Sequence, residues 1–235
     1  MKTPLVLLPG LVCDDEVWAA PVSALPAECM VADYGEIDSL GAMAEHVLAT
    51  APPQFALAGH SMGGRVAFEI MRRAPDRVTK LAVMDTRTHA KPAGEAGEKE
   101  AEGRYTLLEI ARSRGMRAMA EKWVQGMVHP SRLDDTALIE SIVAMIARKT
   151  PRVYAAQITA LLNRLDVSDL LAGIRVPTLV LCGREDAWSQ LSWHEEIART
   201  IPNAKLAVID TCGHMSTMEQ PALVSAAMRD WLNLR

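Results

Sequence analysis

The chain has few cysteines, and their positions match no known ligand spacing. Cys13, Cys29, Cys182 and Cys212 are scattered over 235 residues, and no two of them form a Cys-x-x-Cys pair. The sequence therefore gives no support for a disulfide-rich scaffold, a zinc site or a thioredoxin-like site. We expect reduced thiols, a cytoplasmic location and no bound metal.

An excess of positive charge and any long apolar run are also missing. The formal net charge is −4 at pH 7, so no basic field is available to hold the phosphate backbone of a nucleic acid. No run of about 18 apolar residues occurs, which argues against insertion into a membrane. The apolar stretch near the start, Leu5–Leu8, is too short for a signal peptide and is followed by Pro9-Gly10. We therefore expect it to be a strand of a soluble protein.

Short, continuous apolar runs recur along the chain and predict buried strands. These runs are Leu5–Leu8, Cys29–Ala32, Phe55–Ala58, Leu81–Met84, Thr178–Leu181 and Leu206–Ile209. Continuous rather than alternating apolar residues are typical of parallel strands that are covered on both faces. Helical segments lie between the runs; one of them, residues 40–50, ends before Pro52-Pro53. This alternation predicts an α/β fold with a doubly wound, mostly parallel sheet of six strands.

The alternation stops once, between residues 87 and 173. Polar residues 91–103 predict a loop or the start of a helix. Helical periodicity then follows over Tyr105–Ser113, Met116–Met127, Asp134–Lys149 and Arg152–Leu165. We therefore predict a helical cap insertion, residues 87–173, on an α/β core that consists of residues 1–86 and 174–235.

One motif carries the chemistry of a serine nucleophile. A buried strand runs into Gly-His-Ser-Met-Gly at residues 59–63 and directly into a helix. A serine on so sharp a turn has a strained backbone, which lifts its hydroxyl above the carboxyl edge of the sheet. The flanking glycines are needed because a Cβ at either position would collide with neighbouring backbone. Ser61 is the predicted nucleophile, whereas the side chain of His60 points away and is expected to pack. His46 and His194 fall in predicted helices, and we expect both to be solvated.

A serine hydroxyl needs a base, and the base needs a carboxylate that orients it. His214 follows the last predicted strand and precedes the final helix, so it lies at the same sheet edge as Ser61. Asp186 and Asp85 each follow a strand. We favour Asp186, because its Gly-x-x-Asp loop can reach the final loop, and we expect Asp85 to cap nearby backbone amides.

The oxygen that becomes negative during attack on a carbonyl needs hydrogen-bond donors of its own. Pro9-Gly10-Leu11 leaves the first strand and turns sharply, and Met62 opens the helix behind the nucleophile. We expect the backbone N–H groups of Leu11 and Met62 to converge on this oxygen and form the oxyanion hole.

At this point the chain resembles a known family. The order Ser61, Asp186, His214 is similar to that of the α/β-hydrolase superfamily. The motifs that carry the resemblance are Leu-Leu-Pro-Gly, Gly-His-Ser-Met-Gly-Gly, Arg-Ala-Pro-Asp-Arg-Val, Gly-Arg-Glu-Asp and Gly-His. Within the superfamily the chain resembles esterases and lactonases that have a helical cap and use no cofactor. Many members have His-Gly where this chain has Pro9-Gly10. The first apolar run resembles the family's third strand, so we expect a sheet without the usual first hairpin, and therefore a wholly parallel one.

The predicted activity is hydrolysis of a carboxylic ester or lactone, through an acyl-enzyme, with a small to medium and mainly apolar substrate. The same triad also fits a lyase or an enol-lactonase. A different class of protein, a small-ligand receptor that keeps a slow hydrolase site, also stays open. The pocket is expected between the sheet edge and the cap. Its predicted lining residues are Trp18, Trp123, Met127, His129 and Trp188.

Overall fold

Six parallel strands form a single sheet in the computed structural model, which describes residues 3–234. The strands are β1 (Thr3–Leu8), β2 (Ala27–Val31), β3 (Phe55–His60), β4 (Val78–Met84), β5 (Thr178–Gly183) and β6 (Lys205–Ile209). Their order is β2-β1-β3-β4-β5-β6, and every neighbouring pair is parallel. The predicted α/β fold with six strands is confirmed. Residues 1, 2 and 235, the ends of the predicted core, lie outside the described residues.

Burial differs between the centre and the edges of the sheet. Every residue of β3 and β5 is buried, whereas β2 and β6, at the two edges, expose most of their residues partly or fully. Helices cover the central strands, which explains why their apolar runs are continuous. The register pairs Leu8 with Gly59, and Met84 with both His60 and Leu181. The carboxyl ends of β1, β3, β4 and β5 therefore meet at one edge.

Helices connect the strands and pack on the sheet. They are α1 (Ala19–Ala24), α2 (Leu40–Thr50), α3 (Met62–Arg73), α4 (Glu95–Trp123), α5 (Thr136–Ala147), α6 (Pro151–Leu162), α7 (Leu191–Thr200), α8 (Ser216–Glu219) and α9 (Pro221–Leu232). Helix α3, which follows the serine motif, packs against β1, β3 and β4. This packing places the start of α3 above the middle of the sheet.

The segment between β4 and β5 is helical throughout its regular part, and no strand occurs there within the described chain. Helix α4 starts at Glu95, so most of the polar stretch 91–103 is helix rather than loop. Two helices were expected around Gly115; α4 covers the first and most of the second, ends at Trp123, and is interrupted at Gly115, where φ is 89°. Helix α4 packs on α5 and α6. None of the helices between residues 3 and 234 is long and apolar enough to cross a membrane.

Candidate active site

The serine turn has the backbone geometry that its sequence predicts. Ser61 has φ of 54°, in the left-handed region that L-residues seldom adopt. A Cβ on Gly59 would lie 2.3 Å from the carbonyl oxygen of Gly63, and one on Gly63 would lie 2.0 Å from that of Leu8. Both glycines are therefore required by contact with backbone. The turn after β1 also lies close, since a Cβ on Gly10 would be 3.3 Å from Cβ of Ser61.

Three side chains that are distant in sequence form one hydrogen-bonded chain. Oγ of Ser61 lies 2.8 Å from Nε2 of His214, and Nδ1 of His214 lies 2.7 Å from Oδ2 of Asp186. Burial disfavours the charged imidazole, but the charge and the hydrogen bond of Asp186 outweigh this effect and raise the pKa of His214. The order and the distances are those that nucleophilic catalysis by a serine needs.

The structure brings Asp186, and not Asp85, to the imidazole. Oδ1 of Asp186 accepts two successive backbone N–H groups of its own loop at 2.8 and 2.9 Å, which leaves Oδ2 to face His214. Asp85 is fully buried; it accepts the N–H of Gly183 at 3.0 Å and the hydroxyl of Ser216. Asp85 thus has the amide-binding position that was expected for it.

Two further side chains hold the loop that carries His214. The buried carboxylate of Glu219 accepts the backbone N–H groups of His129, Gly213 and Met215 at distances between 2.8 and 3.2 Å. Nε2 of His60 donates to the carbonyl oxygen of His214 at 2.8 Å. His60 packs away from Ser61 as expected, but its contact with this loop, and the role of Glu219, were missed. The one sequence feature that could have indicated the role of Glu219 is its position, an acidic residue five positions after His214 among mostly apolar or small neighbours.

The two residues that were predicted to supply the oxyanion donors line the same cavity as Ser61. The N–H groups of Leu11 and Met62 have no hydrogen-bond partner within residues 3–234, and both residues line this cavity. Gln157 of α6 holds the turn after β1, since its Oε1 accepts the N–H of Val12 at 2.8 Å. Free backbone donors at a helix start and an adjacent turn can stabilise a developing negative charge.

A cavity of about 560 Å³ lies above Ser61. Trp123, Met127 and Trp188, which were predicted to line the pocket, do line it. The rings of Trp123 and Trp188 stack with centroids 5.5 Å apart, and Trp188 lies 5.0 Å from the ring of His214. A cavity of this size holds a small organic molecule. No group of three or more His, Cys, Asp or Glu side chains suited to a metal ion occurs among the described residues.

Comparisons with known proteins decide the family. A family model described as alpha/beta hydrolase fold matches residues 23–221. The chain belongs to the α/β-hydrolase family. A solved thermophilic esterase from Thermogutta terrifontis (malate bound) is 31% identical, covers 99% of this chain and 90% of its own, and has a TM-score of 0.85. The family resemblance and the prediction of an esterase-type hydrolase are thereby confirmed.

Two further similar proteins are an esterase and a lactonase. A pimeloyl-[acyl-carrier protein] methyl ester esterase from Aromatoleum aromaticum is 26% identical, over 97% of this chain and 98% of its own. The enol-lactonase from Burkholderia xenovorans LB400 is 21% identical, with 100% of this chain and 93% of its own covered and a TM-score of 0.84. The second likeness is one of fold.

Two residues that were predicted to line the pocket of this α/β-hydrolase lie elsewhere. Trp18 is fully buried in the core. Its large apolar ring is shielded from water more completely there than it would be in the wall of an open cavity, which is favourable. His129 lies outside the cavity lining, and its Nδ1 is 2.8 Å from the hydroxyl of Ser131 at a short helical turn. The prediction was wrong for both, because sequence proximity to a loop does not fix the direction of a side chain.

His194 also differs from its expectation as a solvated residue on a helix. It is fully buried, and its Nε2 accepts the backbone N–H of Thr86 at 2.9 Å. Burial lowers the pKa of His194, which favours the neutral ring that can accept this bond. His46, the other histidine expected on a helix surface, is exposed.

One end of the cavity is cationic, and no pattern in the sequence predicted it. Arg65, Arg87, Arg104 and Arg164 line this end together with Glu100. Burial disfavours the ionised form of Glu100, but the hydrogen bond from Arg164 and the charges of the neighbouring arginines lower its pKa to about 2. The four arginines come from four separate segments, so only the tertiary structure brings them together.

Proposed function

We propose that this α/β-hydrolase cleaves a carboxylic ester through an acyl-enzyme. Ser61 is the nucleophile, His214 is the general base and acid, and Asp186 orients the imidazole. The observation that carries the proposal is the continuous hydrogen-bonded chain from Oγ of Ser61 to Oδ2 of Asp186, which borders a cavity large enough for a substrate.

Acylation follows from the positions of the donors and acceptors. Neutral His214 donates from Nδ1 to Asp186, so its Nε2 has a free lone pair directed at the hydroxyl of Ser61. As Oγ attacks the ester carbonyl carbon, Nε2 accepts the hydroxyl proton. The imidazolium then gives this proton to the leaving alkoxide, the C–O bond of the ester breaks, and the alcohol departs.

Deacylation repeats these steps with water as the nucleophile. Nε2 of His214 accepts a proton from the water as its oxygen attacks the acyl carbon. The bond to Oγ then breaks, Ser61 recovers the proton from the imidazolium, and the carboxylic acid leaves. In both halves the N–H groups of Leu11 and Met62 hold the negative oxygen, a type of contact whose loss costs about 10²- to 10³-fold in rate.

Support for the substrate class comes from the cavity and from the relatives. A volume of about 560 Å³ suits a small or medium substrate. Relatives named as a methyl ester esterase and an enol-lactonase add open-chain esters and lactones to the classes to be tested. The stacked Trp123 and Trp188 offer an apolar surface to the part of the substrate nearest His214.

The test is loss of chemistry in the Ser61→Ala variant. Native protein should hydrolyse 4-nitrophenyl esters and react with a fluorophosphonate probe, and Ser61→Ala should do neither. Ser113→Ala is the matched control, because Ser113 is exposed on α4, and it should behave as the native protein does. Labelling of the Ser61→Ala variant would remove Ser61 from its role.

Pre-steady-state kinetics separates an enzyme from a receptor with a slow hydrolase site. Many turnovers at a constant rate support the hydrolase, whereas a burst of one equivalent followed by very slow release supports the receptor. A panel that contains esters, lactones and enol esters then assigns the preferred class.

A further inference from the structure

The cationic end of the cavity has far more positive than negative charge. We call Arg65, Arg87, Arg104 and Arg164 the arginine cluster. Glu100 pairs with three of them: its carboxylate oxygens lie 2.6 Å from Nη1 of Arg164, 3.0 Å from Nη2 of Arg104 and 3.3 Å from Nη2 of Arg87. Four guanidinium groups and one carboxylate leave a formal charge of +3 at one end of a cavity that also contains Ser61.

Arg65 is a buried cation without a counter-ion. It is only 4% exposed, and its Nη atoms donate to backbone carbonyl groups alone, those of Thr88, His89 and Leu165. It forms no ion pair with a carboxylate in the described part of the chain, and its buried Nε has no hydrogen-bond partner there. A buried charge is costly unless it is paired, and each unmet donor adds to that cost.

The surroundings of Arg65 make an added anion favourable. Burial, followed by repulsion from Arg164 and Arg87, lowers the pKa of Arg65 to about 9, against the weaker attraction of Asp166 and Glu100. Asp166 is exposed and accepts a hydrogen bond from its own turn, and Glu100 is already shared by the other three arginines. A negative group in the cavity would reduce the repulsion between Arg65, Arg87 and Arg164 and supply the charge that Arg65 lacks.

We propose that the arginine cluster binds a free carboxylate of the substrate, so that the preferred ester carries a second, ionised carboxyl group distant from the bond that is cleaved. Arg65 lies one helical turn after Ser61, and both line one cavity. One small molecule can therefore contact the nucleophile and the arginine cluster together. The planar fork of a guanidinium group fits a carboxylate, and Arg164 already holds the carboxylate of Glu100 in this way.

The experiment compares esters that differ in one charge. The first pair is mono-4-nitrophenyl glutarate and 4-nitrophenyl pentanoate, which tests a carboxylate on the acyl side. The second pair is 4-acetoxybenzoate and 4-acetoxybenzamide, which tests the alcohol side. For at least one pair, kcat/KM should favour the charged ester by about tenfold or more at low salt, as a charge-assisted bidentate contact predicts. The preference should shrink as ionic strength rises.

Variants locate the preference in the arginine cluster. Arg65→Gln should bring the ratio of kcat/KM values close to one, mainly through a higher KM for the charged ester. Arg87→Gln and Arg104→Gln should each lower the ratio; both residues are partly exposed, at 22% and 20%, so they serve if Arg65→Gln does not fold. Arg152→Gln is the control, because this arginine is 82% exposed on the surface, and it should keep the native ratio.

The carboxylate proposal rests on the proposed hydrolase for its chemical step, but it can fail separately. Turnover of neutral esters with a ratio near one would overturn the carboxylate site and leave the hydrolase intact. If no ester is turned over, binding of glutarate to the Ser61→Ala variant, measured by calorimetry, decides. Binding that Arg65→Gln or Arg104→Gln abolishes supports the site, and no binding overturns it. Tighter binding of inorganic phosphate than of glutarate would also overturn it, since phosphate shares the chemistry but is a different ligand.

Discussion

Replacement of Asp186 by asparagine tests the triad at a single atom. Oδ1 of Asp186 accepts two backbone N–H groups at 2.8 and 2.9 Å, so the carbonyl oxygen of an asparagine would keep that position. Its NH₂ group would then replace Oδ2, 2.7 Å from Nδ1 of His214. Because NH₂ can only donate, Nδ1 must accept, and the imidazole proton moves to Nε2. A protonated Nε2 cannot take the proton of Ser61.

This change of tautomer should lower kcat by about 10⁴-fold, the loss measured for the same substitution in a serine protease triad. The loss corresponds to about 5.5 kcal/mol in the activation barrier. Folding should be little affected, because the two backbone hydrogen bonds to the side chain remain. Steady-state hydrolysis of a 4-nitrophenyl ester gives kcat, the rate of fluorophosphonate labelling reports on Ser61 directly, and thermal unfolding checks the fold.

Glu185→Gln is the matched control for this experiment. Glu185 is the exposed neighbour of Asp186 and accepts the N–H of Cys212 at 3.0 Å, which the amide oxygen of glutamine can also do. Most surface substitutions change stability by no more than about 0.5 kcal/mol, so the fold should be kept and kcat should stay within about threefold of the native value. If Asp186→Asn kept more than a tenth of native kcat, the tautomer argument would be refuted, and Asp85 would become the carboxylate to test.

Three further outcomes follow from the site and its supports. The acid limb of kcat/KM should have a midpoint above the ordinary histidine value of about 6.5, because neutral His214 is the base and its pKa is raised; a midpoint below 6.5 would contradict this. Gly63→Ala should unfold or strongly destabilise the protein, because the added Cβ would lie 2.0 Å from a backbone oxygen. Its control Gly103→Ala, where a Cβ on α4 would meet no other atom, should raise the free energy of unfolding by about 0.5–1 kcal/mol, as measured by thermal unfolding. Glu219→Gln should lower the free energy of unfolding in denaturant by about 1–3 kcal/mol, because one backbone N–H then faces an NH₂ group instead of a carboxylate oxygen. The control Glu140→Gln, at a side chain that is 60% exposed, should change it very little, and equal losses would refute the buried network.

Local sequence signals predicted most of the fold and the centre of the site. Continuous apolar runs identify parallel central strands, because both faces of such strands are covered by helices. The predicted helix 40–50 ends where Pro52 and Pro53 follow, and the structure has α2 at Leu40–Thr50. The serine turn was predictable because Gly59 and Gly63 are required there by backbone contacts. A Cβ at either position would collide with backbone of the turn itself or of β1.

Long-range contacts were predictable only as far as parallel topology constrains them. The carboxyl ends of parallel strands share one edge, which is enough to bring His214 towards Ser61 and to leave two candidates, Asp85 and Asp186, for the carboxylate. The choice between them depends on hydrogen bonds that the folded loop makes. Asp186 is turned to His214 by two amides of its own loop, whereas Asp85 is held by Gly183 and Ser216.

The sequence by itself determined the α/β architecture, the strained serine turn and the sheet edge at which the chemistry takes place, since each depends on backbone geometry that short segments impose. Only the tertiary structure decided which side chains surround the substrate. It buried Trp18, left His129 outside the cavity lining, and brought Arg65 and Arg164, which are 99 residues apart in the sequence, to the same cavity. The physical reason is that packing between distant segments sets the direction of side chains and the pairing of charges. The local pattern of apolar and polar residues contains no information about that packing.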